Sequence, residues 1–313
     1  KGGNGRIVVS SMEELRARKE SPCDVITRSV AGLPALLQEY QNPELATAYM
    51  IRNLAGKRLM VPASMPVGFA HTLTKVAEVR IDRGTVAAMR ERKTFEEAAH
   101  ISNVQKKTED AVHAAIDLIR CSEPDEAGYL VADNAPVTSE RIRDVIAAEL
   151  RSGDCEEKDT IVSCGPDTAM PHCLGTGQLR ANQPIVMDVF PRSRRTGYFA
   201  DMTITVSKGA PSPEIQQMYE TVRKAKELAV SMLGPGISGA DVHNTVVSFF
   251  EERGYTTAGA SGFIHSLGHG VGLEIHEGPS LSVSGGDLLP GNIITIEPGL
   301  YYPGIGGVRL EDM

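Results

Sequence analysis

Apolar positions along this 313-residue chain recur with two periods, one near 3.6 and one of two, and the switches between them mark its elements. Over roughly the first 80 residues the two periods alternate. Arg6–Ser10 and Cys23–Thr27 read as short strands, with a helix between them capped by Ser11. Asn42 and Pro43 open a helix that runs to Gly56. Arg58–Pro62 predicts another strand, a helix containing His71 follows, and Ala77–Ile81 predicts the next strand. Such alternation predicts a small α/β domain over residues 1–88, without a catalytic cluster and suited to dimerisation or substrate shaping. The boundary falls between Gly84 and Lys93, and residues 89–313 form the second domain.

That domain opens on Thr94 and Glu97, the two polar positions of a capping box. A long helix follows, its apolar positions being Phe95, Ala98, Ala99, Ile101, Val104, Ala111, Ala114, Ala115 and Leu118. A second helix covers Ser139–Leu150, and Asp159–Ser163, Pro184–Phe190 and Tyr198–Val206 predict strands. The order then repeats. Ser212 and Pro213 start a helix that breaks at Gly234–Gly236, and Ser238–Arg253 gives its neighbour. Strands including Ile293–Tyr301 and Gly307–Glu311 carry the chain onward. This predicts an α+β domain of two similar halves whose strands merge into one sheet, with helices covering one face.

Composition is that of a globular protein, 41% hydrophobic and 23% charged. The net charge of -8 argues against nucleic acid as a partner, because phosphate binding needs a basic face. No apolar run approaches a membrane span of about 20 residues, so no membrane partner is expected. Five scattered cysteines without a CxxC pair fit a reducing, cytoplasmic compartment. The start, Lys1 to Arg6, is neither an initiator Met nor a signal segment and reads as trimmed.

Polar residues inside the apolar strands change the picture most. Strand parity puts Asp201, Thr203 and Thr205 on one face, and Arg309 with Glu311 on a face opposite Val308 and Leu310. Asp188, Asp201, Glu297 and Glu311 all lie in otherwise apolar segments, where a charge is costly unless paired or metal-bound. His269 stands between Gly268 and Gly270, which let the backbone approach a site closely. Four carboxylates and one imidazole suit two ions of Mn, Co, Fe or Zn, without the thiolates of a structural zinc site. The glycines around His269 lack the GxGxxG spacing of a dinucleotide loop.

From about Arg90 to Met313 the sequence resembles the pita-bread metallopeptidases, and it carries GHGVGLEIHEGP, TIEPGLY and GVRLEDM in order. The resemblance implies a pita-bread domain over 89–313, with a curved, mainly antiparallel sheet that continues past Met313. It implies Asp188, Asp201, His269, Glu297 and Glu311 as ligands of two divalent ions (Mn, Co or Zn), with Asp201 and Glu311 bridging. Glu297 would shuttle protons for a metal-bridging hydroxide, and His276 and His172 would contact the substrate at the scissile bond and the N-terminal residue. His265 and Arg309 match prime-side substrate positions, and Tyr301 is grouped with them as a residue behind the metals. The additional N-terminal domain points to the proline-specific branch, Xaa-Pro aminopeptidase or Xaa-Pro dipeptidase, and to a homodimer acting on an Xaa-Pro peptide or dipeptide. Other readings are an inactive pita-bread binding module, a creatinase-like hydrolase and a peptidase without proline specificity.

Two departures stand out. The hairpin between Asp188 and Asp201 is longer than usual, with a basic tip from Arg192 to Arg195. Ile204 replaces an arginine of the family and faces away from the ligands by parity. Glu277 is expected to structure the turn before Pro279, and His71, His100, His113 and His243 are read as helix residues without a catalytic role.

Overall fold

In a computed structural model, residues 5–313 are described; of the stretch starting at Lys1, the first four residues lie outside the described residues. The chain divides into one compact unit through Met89 and another from Arg90 to Met313.

The first unit contains two parallel strand pairs, Arg6–Val9 with Asp24–Thr27 and Arg58–Pro62 with Glu78–Asp82. Leu59 and Val61 point inward from their strand and pack with Ala48 and Leu73, while the alternate residues Arg58, Met60 and Pro62 are exposed. Asn42 caps Pro43–Ala55 by accepting the Leu45 N–H at 3.0 Å. Ser11 does not cap a helix: the helix is Glu14–Glu20, after Glu13, with no side-chain cap. Two further helices escape the hydrophobic pattern, Leu33–Tyr40 and Thr85–Glu91. The second falls where a boundary was expected, because Asp82 accepts from the N–H groups of Thr85 and Val86.

In the second unit, Thr94 and Glu97 form the capping box of the helix Phe95–Cys121. Its buried side is Ile101, Val104, Thr108, Ala111, Val112, Ala115 and Ile119, packed with the helix Ser139–Ser152. Phe95 is 98% exposed, since it sits in the first turn before the helix meets its neighbour. Strands Met202–Val206, Ile185–Val189 and Ile161–Cys164 form an antiparallel sheet in that order. The second helix pair, Pro213–Met232 and Gly239–Glu251, is capped by Ser212 and Ser238. Each half has its own core, Val112, Ile142 and Met187 in one and Val222, Phe250 and Leu300 in the other.

The halves join through the central strands. Antiparallel pairs Gly268–Gly270 with Glu277–Leu281 and Gly299–Tyr302 with Gly306–Arg309 belong to the second half. The expected long strand Ile293–Tyr301 is interrupted, since Pro298 has no N–H to give a ladder. Residues 293–297 are nevertheless held between neighbours: Thr295 donates to the His269 carbonyl, Glu297 to Leu267 and Ile296 to Asp312. Glu311 N–H donates to the Thr203 carbonyl at 2.8 Å and ties the last segment to the first half. Segments from distant parts of the sequence thus converge on one place.

Candidate metal centre

At that place the backbone is packed as closely as it can be. A Cβ on Gly268 would lie 2.0 Å from the Thr295 carbonyl oxygen, and one on Gly270 2.1 Å from that of Gly278. Glycine on both sides of His269 is therefore required for the strands to close around it. His269 Nδ1 lies 3.1 Å from the Gly270 carbonyl oxygen, which can only accept, so Nδ1 carries the proton. Nε2 keeps its lone pair and faces Asp201 at 3.6 Å and Glu297 at 3.5 Å. Burial pulls the His269 pKa down to about 4, so the ring is neutral near pH 7. A lone pair facing two carboxylates sets acceptor against acceptor, an arrangement that a cation or a proton between them would satisfy.

Asp201, His269 and Glu311 bring ligand atoms within 4.8 Å of one another, all buried. Among the described residues, Asp201 Oδ1 and Glu311 Oε1 are buried without a hydrogen-bond partner. Burial, then the neighbouring Glu311, Asp188 and Glu297, raises the Asp201 pKa well above the carboxylate range. Burial and the Glu311 charge do the same to Glu297, and burial with Asp188 pushes Glu311 up to about 8. Such a cluster is unfavourable as it stands and becomes favourable once divalent cations neutralise it. The donor set, carboxylates with one neutral imidazole, fits divalent transition ions.

Arg309 is the one fixed cation touching this cluster among the described residues. Its Nη2 donates to Asp188 at 2.6 Å and its Nε to Thr203 Oγ1 at 3.2 Å. Thr203 in turn donates to Glu311 Oε2 at 2.7 Å. Burial works against the Arg309 charge, but Tyr301, Asp188 and Glu311 together push its pKa up. Nη1 donates to the Tyr301 hydroxyl at 3.0 Å, and that hydroxyl lies 2.9 Å from His265 Nε2. His265 Nδ1 meets the Ser266 carbonyl at 2.7 Å, so it carries the proton and Nε2 accepts from Tyr301. Tyr301, grouped with the substrate contacts from sequence, is fully buried and lies outside the cavity lining. It holds Arg309 and His265 instead of facing a substrate.

A cavity of about 980 Å³ opens above these groups. Asp188, Asp201, His269, Glu297, Arg309 and Glu311 form its floor, and His172, His265 and His276 also line it. His172 and His276 are exposed at its edge, and the His276 ring stands edge-on to His269 at 4.3 Å. Partial loss of water around the ring lowers the pKa of His276, and deeper burial lowers that of His265 more strongly, to about 4. Apolar Ile161, Leu174, Phe190 and Ile264 complete the walls. Sequence reasoning missed these walls and the Thr203 link to Glu311, which its shared strand face with Asp201 would have signalled. Ile204 packs against the first-half core, and at the basic hairpin Arg192 donates to the Gly197 carbonyl and covers the Phe199 ring. Glu277 has more partners than a turn former needs: Lys93 and Arg90 hold its two oxygens.

Comparison with known proteins agrees with this chemistry. The chain is 30% identical over 266 residues to an Xaa-Pro dipeptidase of Pyrococcus horikoshii, covering 82% of this chain and 69% of that protein. With the Xaa-Pro dipeptidase of Pyrococcus furiosus it is 38% identical over 156 residues, 49% of this chain and 43% of that one. Among solved structures, a prolidase from Pyrococcus furiosus superposes with a TM-score of 0.81 at 26% identity, covering 100% of this chain and 84% of that one. A prolidase from Pyrococcus horikoshii OT3 gives 0.81 at 28% identity, with coverage of 100% and 82%. The α+β arrangement is the pita-bread fold. Residues 99–313 match metallopeptidase family M24, and the chain belongs to that family.

Proposed function

We propose that this protein hydrolyses the peptide bond between an N-terminal residue and a following proline, using two divalent ions of Mn, Co or Zn. Asp188, Asp201, His269, Glu297 and Glu311 would hold them. The observation that carries the reading is the buried carboxylate cluster facing the bare Nε2 of a neutral His269. Proline specificity is supported by the relatives named Xaa-Pro dipeptidase. Bound ions polarise a carbonyl and lower the pKa of a water molecule.

The chain's own groups divide the remaining work. Glu297, on the cavity floor beside His269, takes a proton from the attacking water and returns it to the leaving proline nitrogen. His276 donates an N–H to the oxygen of the scissile carbonyl as charge develops there. His172, at the rim, contacts the N-terminal residue of the substrate. Both ring nitrogens of His265 are engaged, so the ring forms a wall rather than a donor. Arg309 holds Asp188 and, through Thr203, Glu311. The first unit serves in dimerisation or substrate shaping.

The test is hydrolysis of Xaa-Pro dipeptides, Xaa-Pro-Yaa tripeptides and matched Xaa-Ala peptides with Mn, Co or Zn added. Cleavage confined to the proline series is expected. Equal rates on the alanine series would contradict the specificity.

A further inference from the structure

Glu277 directly follows His276 and is buried, its side chain 8% exposed. Each of its oxygens has a separate cation: Lys93 Nζ donates to Oε1 at 2.7 Å and Arg90 Nη2 to Oε2 at 2.6 Å. Arg90 also reaches Glu274 at 3.1 Å, on the other side of His276. Lys93 is itself only 2% exposed, and its N–H is fixed to the Gly291 carbonyl at 2.7 Å. A Cβ on Gly272 would lie 2.3 Å from Glu277 Oε1, so the carboxylate lies directly over the backbone at the opposite end of the turn. The His276 ring, in contrast, has an edge contact with His269 and takes no hydrogen bond from the described residues. Its aim is therefore set by the backbone of the 272–277 turn.

We propose that Lys93 and Arg90, through Glu277, are positioning residues that hold the His276 turn in the geometry needed for hydrolysis. The proposal rests on the function given above for His276. Breaking one partner of a buried ion pair leaves a charge uncompensated and lets the turn relax. Because His276 acts in the transition state, the loss falls on kcat and leaves KM nearly unchanged.

The experiment compares Lys93→Met, Lys93→Arg and Arg90→Met in zinc-loaded protein, each also combined with His276→Ala. It reads kcat, KM, melting temperature and the His276 Hε1 NMR line, assigned by its loss in His276→Ala. Lys93→Met should lower kcat about 10-fold or more, the scale of a lost orienting partner, and should shift or split the His276 line. Lys93→Arg should recover most of both. In the His276→Ala background Lys93→Met should change kcat less than about twofold, because the two act as one unit. Arg90, 30% exposed, provides the milder break if Lys93→Met does not fold. An unmoved His276 line, or a kcat loss of the same factor with and without His276, would overturn the proposal. If the wild type cleaves no Xaa-Pro peptide, the functional reading fails, and the His276 line still decides whether the clamp positions the ring.

Discussion

Glu277 and the four-carboxylate cluster around His269 line one cavity, and they are neutralised in opposite ways. Glu277 is supplied from within, one cation for each oxygen. Asp188, Asp201, Glu297 and Glu311 share a single arginine, which touches Asp188 directly and leaves oxygens of Asp201 and Glu311 without partners. Glu277 is fully paired as the chain folds. The cluster is not, and on the proposed function cations from outside would complete it, which would separate an acid that holds structure from acids that hold metal.

Removing Glu311 tests this difference most severely. Glu311→Ala takes away a proposed ligand, so metal uptake and turnover should both disappear while the two hydrophobic cores keep the fold. Elemental analysis and far-UV circular dichroism check it, and wild-type metal content would remove Glu311 from the site. Next in size is His276→Ala. It should lower kcat about 10²–10³-fold, the range for losing one oxyanion donor, with metal content unchanged. Near-normal kcat with a lower melting temperature would make His276 a packing residue. Thr203→Val, which deletes the hydrogen bond to Glu311, should weaken metal affinity about 10–100-fold, as measured by titration calorimetry.

The smallest effect is on pH dependence, and it comes from Glu311. Glu311 titrates at about 8 in the ion-free fold, against an ordinary value of 4.5, because burial opposes its charge. The folded state then binds more protons than the unfolded one between those values. Stability of ion-free protein should be highest below about pH 4.5 on this account and fall as pH rises toward 8. Ion-loaded protein should lose that slope. Melting temperatures from pH 5 to 8, with and without metal, measure it.

Local pattern made much of this legible. Period-two alternation placed Asp201, Thr203 and Thr205 on one buried face, and the Thr94 and Glu97 pair marked the start of the long helix. The glycines around His269 signalled close backbone approach, and a Cβ at either would collide with a neighbouring strand. Where pattern failed, the cause lay in contacts it cannot contain. Phe95 has the right spacing for a buried face but precedes the point where its helix is covered. Thr85–Glu91 is a helix because Asp82 caps it, a local hydrogen bond rather than a hydrophobic repeat. Lys93 reaches Glu277 across 184 residues, and nothing near either one announces the pair. Tyr301 was visible as part of a motif, but only tertiary packing shows its hydroxyl enclosed between Arg309 and His265.

The central claim is that the under-neutralised cluster is a two-ion hydrolytic centre. Its most direct test is stepwise addition of Mn or Co to chelator-treated protein, with bound metal and Xaa-Pro hydrolysis followed on the same samples. Activity should be absent at zero metal and should rise to its plateau as about two ions bind per chain, as a two-metal centre requires. Full hydrolysis by protein shown to contain no metal would contradict it.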